Sequence, residues 1–191
     1  MLYRIVIAIV RPLIKLYFDL EVKNYPKELP QDKLIIAGNH ITWIDPVWIA
    51  VATRRRLSFL AKKELFNNWF VRKFFLTLGM FPVDRGAPDR KAITFAMDVL
   101  DQDRCLGIFP EGTRGKDKDK KAHNGTAYLA MKTGAPILPV TIVNDNKKFR
   151  SKVTLIYHEI IYVEKAKRIQ KQEMNKITEI VMGKINQGLS E

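Results

Sequence analysis

The chain has 191 residues, 47% hydrophobic and 28% charged, which suits one globular domain with a substantial core. Its formal net charge of +13 calls for an anionic partner, and nucleic acid, an acidic carrier protein or an anionic membrane would each serve. The single cysteine, Cys105, excludes an internal disulfide and a Cys-x-x-Cys metal knuckle, and no Gly-x4-Gly-Lys-Ser/Thr nucleotide loop is present.

Residues 2–18, LYRIVIAIVRPLIKLYF, are the most apolar segment. Their longest uncharged run, 5–10, is far shorter than the roughly 20 residues needed to cross a bilayer. On a helix, Arg4, Arg11 and Lys15 fall within about 40° of one another, and the rest of the circumference is apolar. Such a stripe describes an in-plane anchor, peripheral or monotopic, on an anionic membrane, with the cytoplasmic face of the cell membrane as the expected location. Docking of the same helix on the protein's own core is the alternative. Pro12 removes one backbone bond and should kink or divide the helix. With no small-residue cleavage site after it, a cleaved signal is disfavoured. The expected organisation is a membrane-associating helix over 1–20 and one domain over 21–191.

Beyond it, β-type runs at 33–37, 57–61, 80–84, 105–109, 136–143 and 153–163 alternate with helical patterns at 46–53, 64–78, 88–101 and 124–133. The 153–163 run reads as interrupted. Met174, Ile177, Val181, Ile185 and Leu189 mark a final amphipathic helix. This order predicts a single α/β layered domain with a largely parallel or mixed central sheet flanked by helices, and it puts function in the loops after strand ends. Residues 53–73 concentrate Arg54, Arg55, Arg56, Lys62, Lys63, Arg72 and Lys73 against Glu64, interleaved with Phe59, Phe66, Trp69 and Phe70. That mixture reads as a lipid-interface surface, or more simply as a solvated basic face over an aromatic core.

Three loops hold the unusual polar residues, the second of them Gly79-Met80-Phe81-Pro82-Val83-Asp84-Arg85-Gly86. In Gly38-Asn39-His40-Ile41-Thr42-Trp43-Ile44-Asp45-Pro46, His40 stands where a strand becomes a loop and can exchange protons near neutral pH. Asp45, five residues on, does not share a helical face with it, but a turn entering a helix can fold the carboxylate back onto the imidazole. A carboxylate on one ring nitrogen leaves the other as a general base. Asp45 followed by Pro also fits a plain helix start, and His40 a structural histidine. Since Ser58, Ser151 and Ser190 lack a Gly-x-Ser-x-Gly setting, such a base would activate a hydroxyl on the substrate. The loop Phe109-Pro110-Glu111-Gly112-Thr113-Arg114-Gly115 offers a glycine for close approach and a guanidinium suited to a phosphate, or else a surface turn with an ion pair. Cys105, in an apolar run, reads as a buried structural thiol. The histidines lack metal-ligand spacing, and 116–121 reads as a solvated loop.

Together, Asn39-His40-x4-Asp45, Lys62-Lys63-Glu64-Leu65, Gly79-x5-Arg85, Phe109-Pro110-Glu111-Gly112-Thr113-Arg114 and Ile137-Leu138-Pro139-Val140 resemble, in order and spacing, the motifs of the glycerolipid acyltransferase family. The resemblance implies an O-acyltransferase in which His40, oriented by Asp45, deprotonates the hydroxyl of a lysophospholipid, which then attacks an acyl thioester directly. It further implies that Lys62, Arg85 and Arg114 bind the acceptor phosphate, that Glu111, Gly112 and Thr113 shape the acceptor site, and that Pro139 positions a strand near the donor. Acyl-CoA or acyl carrier protein would be co-substrate, with no cofactor, no metal and no nucleic acid. The acceptor is expected to be 1-acyl-sn-glycerol 3-phosphate, with glycerol 3-phosphate, another lysophospholipid or an amino-lipid as the alternatives. Trp69, Arg72, Gly115 and Ala122-His123-Asn124 depart from the family pattern. A basic single-stranded nucleic-acid binder would explain the charge and the aromatics but neither His40–Asp45 nor Glu111–Arg114. An idle membrane adaptor would use the basic, aromatic surface alone.

Overall fold

A computed structural model of the chain describes residues 2–53, 55–83, 90–112, 122–144 and 149–190. Helix α1 (Leu2–Tyr17) leads into strand β1 (Asp19–Lys23). There follow β2 (Leu34–Gly38), α2 (Asp45–Ala52), β3 (Leu57–Lys62), a 3₁₀ turn (Lys63–Phe66), α3 (Trp69–Thr77) and β4 (Met80–Val83). The second half contains α4 (Arg90–Asp101), β5 (Cys105–Ile108), α5 (Gly125–Thr133), β6 (Ile137–Asn144), β7 (Lys152–Tyr157) and α6 (Lys171–Gln187). The strands form one seven-stranded sheet in the order β1-β7-β6-β2-β5-β3-β4. Every pairing is parallel except β6 with β7, so the sheet is mixed.

Strand β2 is buried along its whole length, as a run of Leu, Ile, Ile and Ala with both faces covered should be. The connections β2–α2–β3 and β3–α3–β4 advance along the sheet, whereas β4–α4–β5 and β5–α5–β6 step back across it. Right-handed crossovers then set α2 and α3 on one face and α4 and α5 on the other. The buried side chains agree. Trp48, Ile49 and Val51 of α2 pack with Phe59, Ile14 and Phe18, while Val99, Leu100, Leu129, Met131, Val181 and Ile185 form the opposite layer. Helix α1 therefore lies on the α2 side, with Phe18 edge-on to Trp48 at 5.1 Å.

Three features differ from the sequence reading, and a fourth, expected from it, gains a cause. Strand β1 was not expected. Its DLEVK sequence is short and charged, and it gains its structure from a single neighbour, β7, at the sheet edge. The helix expected over 64–78 is broken at Asn67-Asn68, because the Asn68 side chain accepts from Phe70 N at 2.9 Å and Val71 N at 3.2 Å and so starts α3 afresh. Pro12 does not divide α1: it stands one turn from Ala8, whose carbonyl loses its helical donor on the exposed side. The interruption in 153–163 has a cause in Pro139. The Pro139 carbonyl accepts from His158 N at 3.0 Å, but proline has no N–H to return, and β7 stops at Tyr157. Pairing resumes as one bridge between Ile137 and Ile161.

Candidate active site

The parallel strands bring their carboxyl ends to one rim. Gly38 is level with Val140, Ala37 with Ile108, and Lys62 with Val83. The loop leaving β2 is held there by Asn39. Its side-chain amide donates to Ile142 O at 2.9 Å and accepts from Ile142 N at 2.7 Å, extending the β2–β6 ladder by one step. The next residue, His40, is 4% exposed and is aimed by what surrounds it.

Asp45 is the first residue of α2, and its carboxylate folds back over the turn instead of bonding the helix amides. Oδ2 accepts from His40 Nδ1 at 2.7 Å, from Ile41 N at 2.7 Å and from Thr42 N at 2.8 Å. Oδ1 accepts from Thr42 Oγ1 at 2.7 Å. Because backbone amides already donate to the same oxygen, Asp45 is the acceptor of the pair. His40 Nδ1 therefore carries the proton, and Nε2 keeps its lone pair for chemistry.

The imidazole ring lies flat on Phe109, with centroids 4.2 Å apart and planes at 17°. Phe109 in turn faces Phe59 at 6.1 Å and 15°. This column depends on Gly107 in β5, where any Cβ would fall 2.0 Å from the Phe59 ring. At the next turn Gly112 has φ of 68°, the left-handed region that favours glycine, and a Cβ there would meet the His123 ring at 3.0 Å. His123 N also donates to Pro110 O at 2.9 Å, so this exposed histidine lies against the Glu111–Gly112 turn. Its place in the site was not read from the sequence.

Lys62, at the end of β3, is exposed and pairs with Glu64 at 2.9 Å. Pro139 is buried in β6, paired with Ala37 and below the rim. Arg85, Thr113 and Arg114 lie outside the described residues. Among the described residues no cluster of three or more His, Cys, Asp or Glu is placed to hold a metal ion. Cys105 lies at the start of β5, remote from the rim, and burial pushes its thiol up to about 11.

The basic groups grouped together in the sequence separate in space. Arg55 donates to the carbonyls of Pro30, Gln31, Asp32 and Asp103, so it ties loops together. Arg11 of α1 donates through Nε and Nη2 to Val51 O in the last turn of α2, at 3.2 and 3.0 Å. Between the second half of α1 and the loop that follows His40 runs a cleft of about 1180 Å³, lined by apolar side chains including Leu13, Ile14, Phe18, Ile41, Trp48 and Phe149. No described helix is long and apolar enough to cross a membrane.

A family model described as acyltransferase matches residues 20–143. The 1-acyl-sn-glycerol-3-phosphate acyltransferase of Streptococcus pneumoniae is 39% identical over 116 residues, which is 58% of this chain and 41% of that protein. The protein of the same name from Borreliella burgdorferi is 32% identical over 166 residues, 81% of this chain and 65% of its own length. That from Bacillus subtilis is 36% identical over 121 residues, 62% of this chain and 60% of the relative. The chain thus spans between 41% and 65% of the curated relatives it matches here. The crystal structure of the 1-acyl-sn-glycerophosphate acyltransferase PlsC from Thermotoga maritima superposes with a TM-score of 0.73 at 23% identity. The match covers 98% of this chain and 80% of that one, a likeness of fold.

Proposed function

The chain belongs to the acyltransferase family, and from that premise we propose that it acylates the free hydroxyl of 1-acyl-sn-glycerol 3-phosphate from an acyl thioester, giving phosphatidic acid. The observation that carries the reading is the His40–Asp45 pair at a strand end, buried, bonded at 2.7 Å and backed by Phe109. In the proposed step His40 Nε2 takes the acceptor's hydroxyl proton as the oxygen attacks the thioester carbonyl. The tetrahedral intermediate collapses with loss of the C–S bond, and the imidazolium returns the proton to the departing thiolate. Asp45 holds the imidazole in the required tautomer and stabilises its charged form. No acyl-enzyme is needed, and Cys105 is poorly suited to form one because it is buried and remote from the rim.

The apolar cleft beside the loop supports a lipid substrate, being larger than the usual range for small-ligand pockets. Lys62, Arg85 and Arg114 are assigned to the acceptor phosphate, Glu111, Gly112 and Thr113 to the acceptor site, and Pro139 to the strand near the donor. The donor is acyl-CoA or acyl carrier protein. The protein is proposed to work as a peripheral or monotopic protein on an anionic membrane surface, at the cytoplasmic face of the cell membrane. Incubating it with lysophosphatidate and each donor, with product mass spectrometry across a panel of lysolipids, tests the reaction. His40→Ala should lower turnover at least roughly a hundredfold with little change in the acceptor's KM. Near-normal turnover would remove His40 from the mechanism.

A further inference from the structure

Helix α3 reads WFVRKFFLT, yet none of its residues is buried. Trp69 is 63% exposed and Phe70 76%, and Val71, Phe74 and Leu76 are exposed as well. The helix is nonetheless well anchored. Asn68 caps its start, and Phe75 meets the buried Phe66 at 5.7 Å. An exposed apolar surface of this kind marks an interaction site. Its chemistry is specific too. Arg72 and Lys73 are exposed on the helix itself, Lys62 and Lys63 precede it, and α3 carries no carboxylate. Lys73 Nζ stands over the Trp69 ring at 5.3 Å. Tryptophan beside lysine and arginine suits the headgroup depth of an anionic bilayer, where rings lie among the headgroups and cations meet phosphates.

A second observation ties α3 to α1. Arg56, just before β3, donates to Thr77 O, the last carbonyl of α3, at 3.0 Å. The same guanidinium lies over the ring of Tyr3 at 5.7 Å, and the Tyr3 hydroxyl accepts from Leu57 N at 3.2 Å. The end of α3 and the start of α1 therefore meet at one arginine, on the side of the sheet that also carries α2. There α1 turns Leu2, Ile5, Ile9, Leu13 and Leu16 outward. By the 100° advance of a helix these five fall within about 80°. The other end of α3 follows the carboxyl end of β3, at the rim that holds His40.

We infer that α3 is a second lipid contact, which with the outward strip of α1 forms one docking face for an anionic bilayer, bordered by the candidate active site. A second copy of the chain fits the surface less well, because a two-fold contact would press Arg72 and Lys73 against like charges. The inference rests on the proposed lipid reaction only for its purpose, since it is read by binding and not by turnover.

Tryptophan fluorescence on the full chain tests it. In a Trp43→Phe background, Trp69 is the exposed tryptophan and Trp48 is buried. Adding phosphatidylcholine vesicles that contain phosphatidylglycerol should shift the emission to the blue and shield it from acrylamide. Replacing Trp69 by Phe as well should abolish the change. Phe70→Ser with Phe74→Ser, its fold checked by circular dichroism, should lower vesicle partitioning at least roughly tenfold. If Trp69 stays open to acrylamide while the protein is vesicle-bound, α1 is the contact and the inference is overturned. A blue shift that rises with protein concentration alone, or one that needs an acidic carrier protein and not vesicles, overturns it equally. Failure of acyl transfer in solution would sink the proposed reaction while leaving these results standing.

Discussion

Four donors converge on Asp45 within one turn, and Thr42 supplies two of them. With Asp45 fully buried, removing the Thr42 hydroxyl leaves Oδ1 short of a partner where water cannot replace it. Thr42→Val should therefore cost about 1–3 kcal/mol of stability in urea denaturation. It should also lower turnover, but by less than His40→Ala, because the backbone amides still orient the carboxylate. Thr42→Ser should restore both; a Thr42→Val protein of unchanged stability would show the hydroxyl to be dispensable. The pairing of His40 with Asp45 could be read from the chain because both groups carry recognisable chemistry in a short strand-to-helix turn. Thr42 and Asn39 were not assigned roles, since their bonds depend on how the turn is folded and on β6, far along the chain. The ring column of His40, Phe109 and Phe59 was equally hidden, because it requires the register that sets Phe59 opposite Gly107.

At the scale of elements, periodicity located most strands and helices but not the contacts that end them. Proline at 139 lies within an apolar run that reads as a continuous strand. Only the antiparallel partner reveals the missing donor that stops β7 at Tyr157. Strand β1 was missed although DLEVK alternates polar and apolar residues, because five residues with three charges are a short signal and the strand is recruited by β7. The same limit applies to α1. A helical wheel groups Arg11 with Arg4 and Lys15, and nothing in the chain says that α2 will end beside Arg11. The carbonyl it takes, Val51 O, belongs to the last turn of α2, where cations complement the helix dipole and the unpaired carbonyls. Arg11→Ala should thus lower stability by about 1–2 kcal/mol, whereas Arg4→Ala should stay within about 0.5 kcal/mol of wild type. Equal urea midpoints for the two variants would return Arg11 to the surface set.

For the whole molecule, a net charge of +13 names no partner, and where the charges lie decides what they can meet. Arg4 and Lys15 are exposed on α1, about 20° apart around its axis and about 80° or more around it from the outward apolar strip, a separation that long side chains can bridge to a bilayer surface. Lys167 and Arg168 are also exposed, but they flank Ala166 and Ile169, which pack into the layer of α4, α5 and α6 across the sheet. Reversing either pair to glutamate removes the same amount of positive charge. If the protein were drawn to anionic vesicles by net charge alone, the two double variants would bind equally weakly. If it docks by the α1 face, only Arg4→Glu with Lys15→Glu should suffer. Each cation near an anionic surface contributes about 1 kcal/mol, so losing two weakens binding by about 2 kcal/mol, roughly thirtyfold, before repulsion is added. Raised salt should weaken the wild type in the same direction and leave a smaller residual set by burial of the apolar strip. Co-sedimentation with phosphatidylglycerol-containing vesicles at low and high salt reads both effects. An equal loss in the two variants would assign vesicle binding to diffuse charge and remove α1 from the docking face.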